Sequence, residues 1–331
     1  MMLILTRSEI QKAVTMKDAI ESARQAFSSS SAGLADIPLR TQINVTDDRG
    51  VMLYMPGYLK DRDALGVKIV SVFLGNQKIG KETIQSIVLL QDTDTGQTLA
   101  MMDGVYLTAL RTGAASGAAT SVLARDDASV VAIFGAGQQA RTQLEAMAQV
   151  RSIKTVLVYD LSKAAAEAYV SSMREKITAD IQWLIAQDPE DAVVDADIII
   201  TATVSSVPVF PGKALKAGAH INGIGSYKPS MQELDSETIR RAHKIYVDNR
   251  KAALEEAGDL IVPIREGLLT EDCVTGEIGE VFNQLKPGRE NDQEITLFKT
   301  VGFAALDMIV AQLAYREALA KGFGQVLDIT I

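Results

Sequence analysis

The spacing of apolar residues changes character twice along the chain. Before residue 103, short apolar stretches alternate with polar positions, a pattern typical of half-buried strands. From Val130 onward, compact apolar runs alternate with amphipathic segments, which is typical of a parallel sheet covered by helices. Between these two parts, residues 108–124 are rich in Ala, Gly, Ser and Thr, and Arg111 is their only charge, which predicts a helix.

The first part is predicted to hold one short strand, two helices and an antiparallel sheet. Residues 2–5 form the strand, Thr6 and Glu9 have the spacing of a capping box, and the second helix runs from about Thr15 to the serines at 28–31. Five further strands are predicted at residues 40–45, 51–55, 64–73, 83–92 and 98–102. The turn formers between them are Asp47-Asp48, Pro56-Gly57, Gly75-Asn76 and Asp94-Thr95-Gly96.

The second part is predicted to be a doubly wound unit. Its strands are expected at residues 130–134, 155–159, 181–186, 197–203, 220–224 and 244–247, and residues 298–321 form a last helix that packs on the first domain. The predicted fold is therefore α/β, with a Rossmann doubly wound parallel sheet and a second, α+β domain whose sheet is largely antiparallel. Residues 1–118 and 305–331 form the α+β domain, and residues 119–304 form the Rossmann domain.

The apolar strand at residues 130–134 leads directly into Gly135-Ala136-Gly137-Gln138-Gln139-Ala140 and a helix. Gly135 permits a tight turn, Gly137 lets a pyrophosphate approach the backbone, and the small Ala140 lets the helix pack closely on the sheet. The first amides of the helix attract the anion. Because a strand precedes this motif and a helix follows it, we expect a dinucleotide site. The predicted contacts are Gly135, Ala136, Gly137, Gln138 and Gln139.

Asp160 ends the next strand, at the distance where an acid binds the ribose hydroxyls of such a cofactor. Its carboxylate would repel a 2′-phosphate, which favours NAD(H). Ser162 and Lys163 are compatible with that phosphate, so NADP(H) is the alternative. A second interpretation is an ordinary βα turn in which Asp160 only caps the next helix.

Small residues follow the later strands of the predicted sheet. Ligands of doubly wound sheets bind beyond the carboxyl ends of the strands. We therefore expect these residues to line the nicotinamide side of the cofactor site, although small residues are also common in ordinary loops. The predicted contacts are Thr201, Thr203, Ile224 and Ser226.

The composition excludes several classes of function. The chain has 331 residues, a formal net charge of −9 and no clustered basic stripe, so we expect no nucleic-acid partner. No run of about 18 apolar residues exists, so we expect no membrane partner. One cysteine and two histidines leave no thiol cluster, and we expect no metal. The opening residues lack the features of a signal peptide, and we expect a cytoplasmic protein.

Three cations stand among apolar or small residues before the glycine motif: Arg40, Lys68 and Arg111. From their spacing alone two interpretations remain open. They either bind an anionic substrate, or Lys68 faces solvent while Arg111 pairs with Asp103.

Ordered blocks of residues over nearly the whole chain resemble the ornithine cyclodeaminase/μ-crystallin family. They are Met55-Pro56, Gly66-Val67-Lys68, Ala109-Leu110-Arg111-Thr112, Gly135-Ala136-Gly137-Gln138, Thr201-Ala202-Thr203, Gln232-Glu233-Leu234-Asp235, Glu256-Ala257-Gly258-Asp259-Leu260, Gly276-Glu277-Ile278-Gly279-Glu280, Pro287-Gly288-Arg289 and Glu294-Ile295-Thr296-Leu297-Phe298-Lys299. The family includes cyclodeaminases, alanine dehydrogenases, reductases of cyclic ketimines, and crystallins that bind NADP and thyroid hormone.

The resemblance implies roles for individual residues. Arg40, Lys68 and Arg111 would bind the substrate carboxylate, with Thr300 as a further substrate contact, and Lys68 is the expected catalytic residue. Thr83 and Arg111 would contact the cofactor. The family also implies that the α+β domain, residues 1–118 and 305–331, is the substrate-binding and dimerisation domain, with a homodimer joined through its sheet.

One position departs from the cyclodeaminase pattern. Those enzymes have an Asp acid/base after the fifth strand, where this sequence has Tyr227, and Met231 replaces a cationic residue. Tyrosine, whose ordinary pKa is about 10, is a poor base at neutral pH. Tyr227 is expected to contact the cofactor instead. The segment from Ile224 to Leu234 resembles the ketimine-reductase branch.

The sequence therefore favours NAD(P)H-dependent reduction of a cyclic ketimine acid. The substrate would be Δ1-pyrroline-2-carboxylate, giving L-proline, or piperideine-2-carboxylate, giving L-pipecolate. Alanine dehydrogenase, ornithine cyclodeaminase and a non-catalytic, μ-crystallin-like ligand-binding protein are the alternatives.

Overall fold

The computed structural model describes residues 1–46 and 49–328, so the turn predicted at Asp47-Asp48 lies outside the described residues. The chain divides into two compact units, Met1–Arg111 with Phe303–Ile331, and Thr112–Gly302. The two predicted boundaries, 118/119 and 304/305, fall within or at the start of the helices Gly104–Leu123 and Ala304–Lys321.

Strands and helices follow one another along the chain in three successive parts. The first part comprises β1 (Met2–Leu5), α1 (Arg7–Ala13), α2 (Met16–Ser31), β2 (Ala35–Asp36), β3 (Thr41–Val45), β4 (Gly50–Leu59), β5 (Ala64–Val72), β6 (Ile84–Gln91), β7 (Thr98–Asp103) and α3 (Gly104–Leu123). The middle part comprises β8 (Val130–Phe134), α4 (Gln138–Val150), β9 (Thr155–Tyr159), α5 (Lys163–Lys176), β10 (Gln182–Ile185), α6 (Pro189–Val193), β11 (Ile198–Thr201), β12 (His220–Gly223), α7 (Ser236–Arg241), β13 (Lys244–Val247), α8 (Arg250–Glu256), α9 (Gly258–Arg265), β14 (Gly276–Glu277), α10 (Ile278–Phe282) and β15 (Thr296–Lys299). The last part comprises α11 (Ala304–Lys321) and β16 (Gln325–Leu327).

The predicted local signals at the start of the first unit are confirmed. The backbone N–H of Thr6 donates to the Glu9 carboxylate at 2.8 Å, which completes the capping box of α1. Thr15 caps α2 by accepting a hydrogen bond from the N–H of Asp18. These bonds satisfy amides that the first turn of each helix leaves without partners.

The first unit is built on a largely antiparallel sheet, as predicted. Its strand order is β16-β1-β7-β6-β5-β4-β2, with β3 also paired to β4. All pairs are antiparallel except β1 with β7. The last helix, α11, packs on α2, β4 and β5, which confirms that the end of the chain returns to this unit.

The turn predicted at Pro56-Gly57 is wrong, because both residues lie inside β4. On one side β4 pairs with β3 up to Tyr54 and with β2 from Tyr58, so Pro56 lies in the gap between these two partners. A residue without an N–H is tolerated at such a gap. Gly57 has a different role, since a Cβ there would lie 2.9 Å from the Cβ of Ala304 in α11. This glycine permits close packing of the helix.

The second unit is a parallel sheet in the order β10-β9-β8-β11-β12-β15-β13-β14, and every strand pair described in it is parallel. The order reverses between β8 and β11, since the chain moves outward first through β9 and β10. This reversal is the position at which doubly wound sheets bind ligands. The α/β fold class, with one parallel and one largely antiparallel sheet, is therefore confirmed.

The start of the last helix differs from the prediction. Residues 298 and 299 belong to β15, which is inserted between β12 and β13, and α11 begins at Ala304. All four residues of β15 are buried. A short strand covered on both faces has no alternating pattern and cannot be distinguished by periodicity from the beginning of a buried helix.

Across the described residues, the helices are all too short or too polar to cross a membrane.

We predict that Gly66→Ala lowers the free energy of unfolding by about 1–3 kcal/mol, because the added methyl group overpacks the core. A Cβ at Gly66 would lie 2.1 Å from the backbone oxygen of Leu89 in β6 and 2.9 Å from the sulfur of Met308 in α11. Thermal unfolding followed by circular dichroism measures the change. Gly75→Ala is the control, because no atom lies within 4 Å of its Cβ position. Equal melting temperatures for the two variants would contradict the prediction.

Candidate functional site

A buried cluster of charged side chains lies in the first unit. Lys68 is 2% exposed and Arg111 is 6% exposed, and both contact the completely buried carboxylate of Asp307. The Lys68 Nζ lies 2.8 Å from Asp307 Oδ2, and the Arg111 Nε lies 2.9 Å from Oδ1. The interpretation in which Lys68 faces solvent and Arg111 pairs with Asp103 is therefore wrong. Asp103 instead forms an ion pair with Arg7 at 3.7 Å.

The register of β5 explains why Lys68 points inward. Ala64, Gly66 and Lys68 alternate with more exposed neighbours, so the three share the face that α11 covers. Because Gly66 has no side chain, α11 approaches β5 closely, and Met308 lies against this glycine. The first turn of α11 thereby presents Asp307 to Lys68.

Burial and neighbouring charges determine the ionisation of the cluster. Burial lowers the pKa of Lys68 to about 8, with Arg111 and Arg40 acting in the same direction and Asp307 opposing them. For Asp307, burial alone would raise the pKa, but Arg111 and Lys68 hold it below its usual value. The cluster therefore keeps an excess of positive charge at neutral pH, together with a lysine that can exchange a proton.

Arg40 and Thr83 lie at different distances from this cluster. Arg40 is half-buried, directly before β3, and is near enough to affect the pKa of Lys68. Thr83 precedes β6, and its carbonyl accepts a hydrogen bond from the N–H of Phe73 at 2.8 Å. Lys68 pairs with Val88, so Thr83 lies about 17 Å further along β6 at roughly 3.4 Å per residue.

Asp307 is a member of the cluster that sequence reasoning missed. Isolated cations in apolar surroundings were the signal for Lys68 and Arg111, and an isolated acid is the same signal with the opposite charge. Asp307 follows Phe303-Ala304-Ala305-Leu306 and precedes Met308-Ile309-Val310, so it is the one charge in the apolar first half of α11. Because buried carboxylates are almost always paired, that pattern indicates a partner for one of the cations.

The glycine motif of the second unit forms a tight turn between β8 and α4. Gly135 has a φ of +92°, a left-handed conformation that favours glycine. A Cβ at Gly135 would also lie 2.7 Å from the backbone oxygen of Ala202. Gly137 is the N-cap of α4, and no side chain caps the helix there. No atom lies within 4 Å of a Cβ position at Gly137, so the space above its backbone is open.

Asp160 lies beside this turn. One of its carboxylate oxygens accepts a hydrogen bond from the N–H of Ala136, and the other accepts one from Ser162, both at 2.8 Å. The side chain that caps α5 is that of Ser162, which accepts from the N–H of Ala165. Asp160 therefore contacts the glycine turn as well as the start of the helix. The open space at Gly137, the uncapped amides of α4 and this acid fit the pyrophosphate and ribose of a dinucleotide.

Residues after β11 and β12 converge on one buried carboxylate that sequence reasoning also missed. Glu233 accepts hydrogen bonds from both the N–H and the hydroxyl of Thr203, and from the hydroxyl of Thr201. It also accepts the N–H groups of Gly225 and Ser226. Thr201 and Ser226 are completely buried, whereas Thr203 is partly exposed.

The other predicted cofactor contacts have varied surroundings. Ile224 is 8% exposed and Gln138 is exposed, while Gln139 is half-buried. The ring of Tyr227 packs against the apolar core of the second unit, and the Nζ of Lys228 lies 5.5 Å from the centre of this ring.

Thr300 is 2% exposed and lies directly after β15. Its hydroxyl donates to the buried carboxylate of Asp248 at 2.5 Å, and the N–H groups of Val301 and Gly302 donate to the same oxygen. Burial raises the pKa of Asp248. Asp248 thus fixes the segment in which Thr300 lies.

Within residues 1–46 and 49–328, no group of three or more His, Cys, Asp or Glu side chains is arranged to hold a metal ion.

Comparisons with known proteins agree over nearly the whole length of the chain. Residues 1–322 match the model of the ornithine cyclodeaminase/mu-crystallin family. A Δ1-pyrroline-2-carboxylate reductase of Bacillus cereus is 42% identical over 327 residues, covering 99% of this chain and 100% of the relative.

Two solved structures are similar over nearly the same length. The Thermococcus litoralis Δ1-pyrroline-2-carboxylate reductase in complex with NADH and L-proline has a TM-score of 0.94 and 44% identity, covering 98% of this chain and 100% of that one. An archaeal alanine dehydrogenase dimer with bound NAD has a TM-score of 0.92 and 36% identity, covering 99% of each chain. This chain belongs to the ornithine cyclodeaminase/mu-crystallin family.

Proposed function

We propose that this protein is an NADH-dependent reductase of a cyclic ketimine acid, converting Δ1-pyrroline-2-carboxylate to L-proline or its six-membered homologue to L-pipecolate. The observation that carries the proposal is the buried Lys68–Asp307–Arg111 cluster in a chain that also has a dinucleotide turn at Gly135. The full-length similarity to Δ1-pyrroline-2-carboxylate reductases supports this substrate class.

In this proposal the cluster binds the substrate carboxylate. Arg111 and Lys68 together carry one more positive charge than Asp307 neutralises, and Arg40 adds another nearby. A guanidinium matches the two oxygens of a carboxylate, and a desolvated ammonium adds a strong point charge. Asp307 orients both cations, and Thr300 is a further proposed substrate contact.

Lys68 is also the proposed proton donor. When bound, NADH supplies the hydride that the imine carbon accepts. The ring nitrogen needs a proton, so the C=N bond becomes CH–NH and NADH becomes NAD⁺. A lysine whose pKa is about 8 is still protonated at neutral pH and releases its proton more readily than an ordinary lysine. Where the imine binds already protonated, Lys68 serves only to hold the carboxylate.

The cofactor in this proposal is NAD(H), which the similar structures contain as NADH or NAD. The residues proposed to hold it are Gly135, Ala136, Gly137, Gln138, Gln139, Asp160, Thr201, Thr203, Ile224, Ser226, Tyr227, Thr83 and Arg111. The carboxylate of Asp160 disfavours a 2′-phosphate at the ribose.

Tyr227 disfavours cyclodeamination. That reaction needs a base for the substrate ammonium, whereas the ring of Tyr227 is partly buried against apolar side chains. Met231 is 9% exposed and carries no charge. Reduction of an imine needs neither the acid/base Asp that Tyr227 replaces nor the cationic residue that Met231 replaces.

We also propose that the protein is a homodimer joined through the sheet of the first unit. The face opposite Lys68 carries partly exposed apolar side chains on neighbouring strands, among them Val67, Ile69, Ile87 and Leu89. An apolar sheet face of this kind is typical of a surface that another chain covers. The similar archaeal alanine dehydrogenase is a dimer.

The decisive assay compares substrates. We expect kcat/KM to be highest for Δ1-pyrroline-2-carboxylate or piperideine-2-carboxylate with NADH, lower for pyruvate with ammonia, and near zero for ornithine. NADPH should be the weaker cofactor because of Asp160. Steady-state absorbance at the NADH band measures the reduction of the imines and of pyruvate with ammonia. Turnover of ornithine is measured with NAD⁺ as release of ammonia, because cyclodeamination regenerates its NAD⁺ and leaves no net change in NADH. Faster turnover of pyruvate with ammonia, or of ornithine, would overturn the reductase assignment.

A second prediction concerns pH. Lys68 is protonated below a pKa of about 8, so kcat/KM for the imine should be intact below that pH and fall as pH rises through it. Lys68→Met should lower kcat/KM at pH 7 by about 10- to 100-fold, since a hydrogen bond to a charged group is lost, and should remove the decrease above pH 8. Lys60→Met is the control, because Lys60 is exposed and directly follows β4, the strand paired with β5. An unchanged pH profile in Lys68→Met would refute this role.

A third prediction tests the dimer. Ile87→Glu places a charge in the proposed interface and should shift the protein towards monomer in sedimentation velocity, because an unpaired buried charge is costly. Ile79→Glu is the matched control, since Ile79 is also exposed but lies outside the strands of the sheet. If Ile87→Glu sediments as the wild type does, the interface is not on this face.

A further inference from the structure

A single buried carboxylate, that of Glu233, connects two loops at the carboxyl edge of the parallel sheet by hydrogen bonds. Glu233 lies between β12 and α7 and has no exposed surface. Its Oε1 accepts the N–H of Thr203 at 2.6 Å and the Thr203 hydroxyl at 2.7 Å. Its Oε2 accepts the Thr201 hydroxyl at 2.9 Å and the N–H groups of Gly225 and Ser226 at 2.7 and 3.2 Å. One side chain thus accepts five hydrogen bonds from two loops.

The two loops follow adjacent strands. β11 and β12 are paired, with Thr201 opposite Gly223, so the segments 201–203 and 225–226 leave the sheet side by side at its carboxyl edge. They also pack tightly, because a Cβ at Gly225 would lie 2.1 Å from the backbone oxygen of Thr203 and 2.5 Å from Glu233 Oε1. Without an acceptor between them, the N–H groups of these loops would be buried without partners.

The loop at residues 201–203 also packs against the glycine turn at Gly135. A Cβ at Gly135 would lie 2.7 Å from the Ala202 oxygen and 3.0 Å from Cγ2 of Thr203. The N–H of Ala202 also donates to the carbonyl of Phe134 at 2.9 Å. A displacement of residues 201–203 is therefore transmitted to the turn that is proposed to hold the pyrophosphate.

The backbone of Glu233 is fixed by Asp259, which forms a buried ion pair with Lys299. The Asp259 Oδ1 accepts the N–H groups of Glu233 and Leu234, and its Oδ2 lies 2.8 Å from the Nζ of Lys299. Glu233, Asp259 and Lys299 all have no exposed surface. Burial and Asp259 raise the pKa of Glu233, while Lys299 and the hydrogen bonds from Thr203 oppose that rise. Three of the five donors to Glu233 are backbone N–H groups, which can only donate, so the ionised carboxylate matches them best.

We propose that Glu233 is a positioning residue for the dinucleotide, whose carboxylate fixes the loops 201–203 and 225–226 so that the glycine turn and the edge of the sheet keep the shape that binds NADH. The inference rests on the proposed function for one point, that the bound dinucleotide is NADH. Glu233 acts through the two loops and through the packing of Ala202 on Gly135, and it does not itself contact the cofactor.

The test is Glu233→Gln, with NADH binding measured by fluorescence titration. A glutamine presents an N–H donor where the loops also present donors, so the Kd for NADH should rise by about 10- to 100-fold. At saturating NADH, the KM for the imine should stay within about threefold of the wild-type value, because Lys68 and Arg111 belong to the other unit. Glu233→Asp keeps the charge and should recover part of the lost NADH affinity.

Glu237→Gln is the matched control, since Glu237 lies four residues away on α7 and forms its ion pair with Arg240 of the same helix. Its Kd for NADH should equal that of the wild type. Equal Kd values for Glu233→Gln and Glu237→Gln would overturn the inference. So would a parallel rise in the KM for the imine and in the Kd for NADH, because a general loss of structure acts on both ligands.

Glu233→Asp provides a second measurement if Glu233→Gln does not fold. It keeps the charge but shortens the side chain by one methylene group, so the donors of the two loops are satisfied less well and the Kd for NADH should rise by about three- to tenfold. An unchanged Kd in this variant would also overturn the inference. A wild-type protein that does not bind NADH refutes the proposed function, whereas normal binding in all variants refutes only the role of Glu233.

Discussion

A carboxylate that loses its water must find charged or N–H partners inside the protein, and this constraint organises both units. An uncompensated buried charge costs several kcal/mol. Asp307 has no exposed surface, and its ion pairs with Lys68 on β5 and Arg111 on α3 offset the free energy of burying its charge. Three elements that are distant in sequence are thereby fixed relative to one another within the first unit. The buried pair of cations and the packing of α11 on β5 are two results of the same interaction.

The second unit uses the same principle with a different donor set. The carboxylate of Glu233 is stabilised mainly by hydrogen bonds from N–H and hydroxyl groups of the loops at β11 and β12. The carboxylate of Asp259 is instead paired with the ammonium group of Lys299. Loops at the carboxyl edge of a parallel sheet carry many amides that the sheet does not satisfy. A carboxylate placed there gives these loops one geometry, which a dinucleotide site requires. Asp248 does the same for the segment at residues 300–302.

The two kinds of cluster suit different ligands. In the first unit the cations outnumber the acid, so an anion gains from binding, and the lowered pKa of Lys68 makes a proton available near neutral pH. In the second unit the buried groups are matched among themselves and leave the open space above Gly137 and the uncapped amides of α4 as the anion-binding features. We propose that the first arrangement binds the carboxylate of the imino-acid substrate and that the second binds the pyrophosphate of the cofactor.

The sequence by itself determined the features that depend on neighbouring residues. These include the capping box at Thr6, the glycine turn at Gly135, the acid at Asp160 and the two periodicities that separate the sheets, because each is encoded within a few residues. It also identified Lys68 and Arg111 as unusual charges. Only the tertiary structure decided that Asp307 pairs with both, that Glu233 binds two loops, that Pro56-Gly57 continues a strand and that residues 296–299 form one. Each of these depends on contacts between distant segments, and no local pattern of apolar and polar residues records which distant partner a side chain meets.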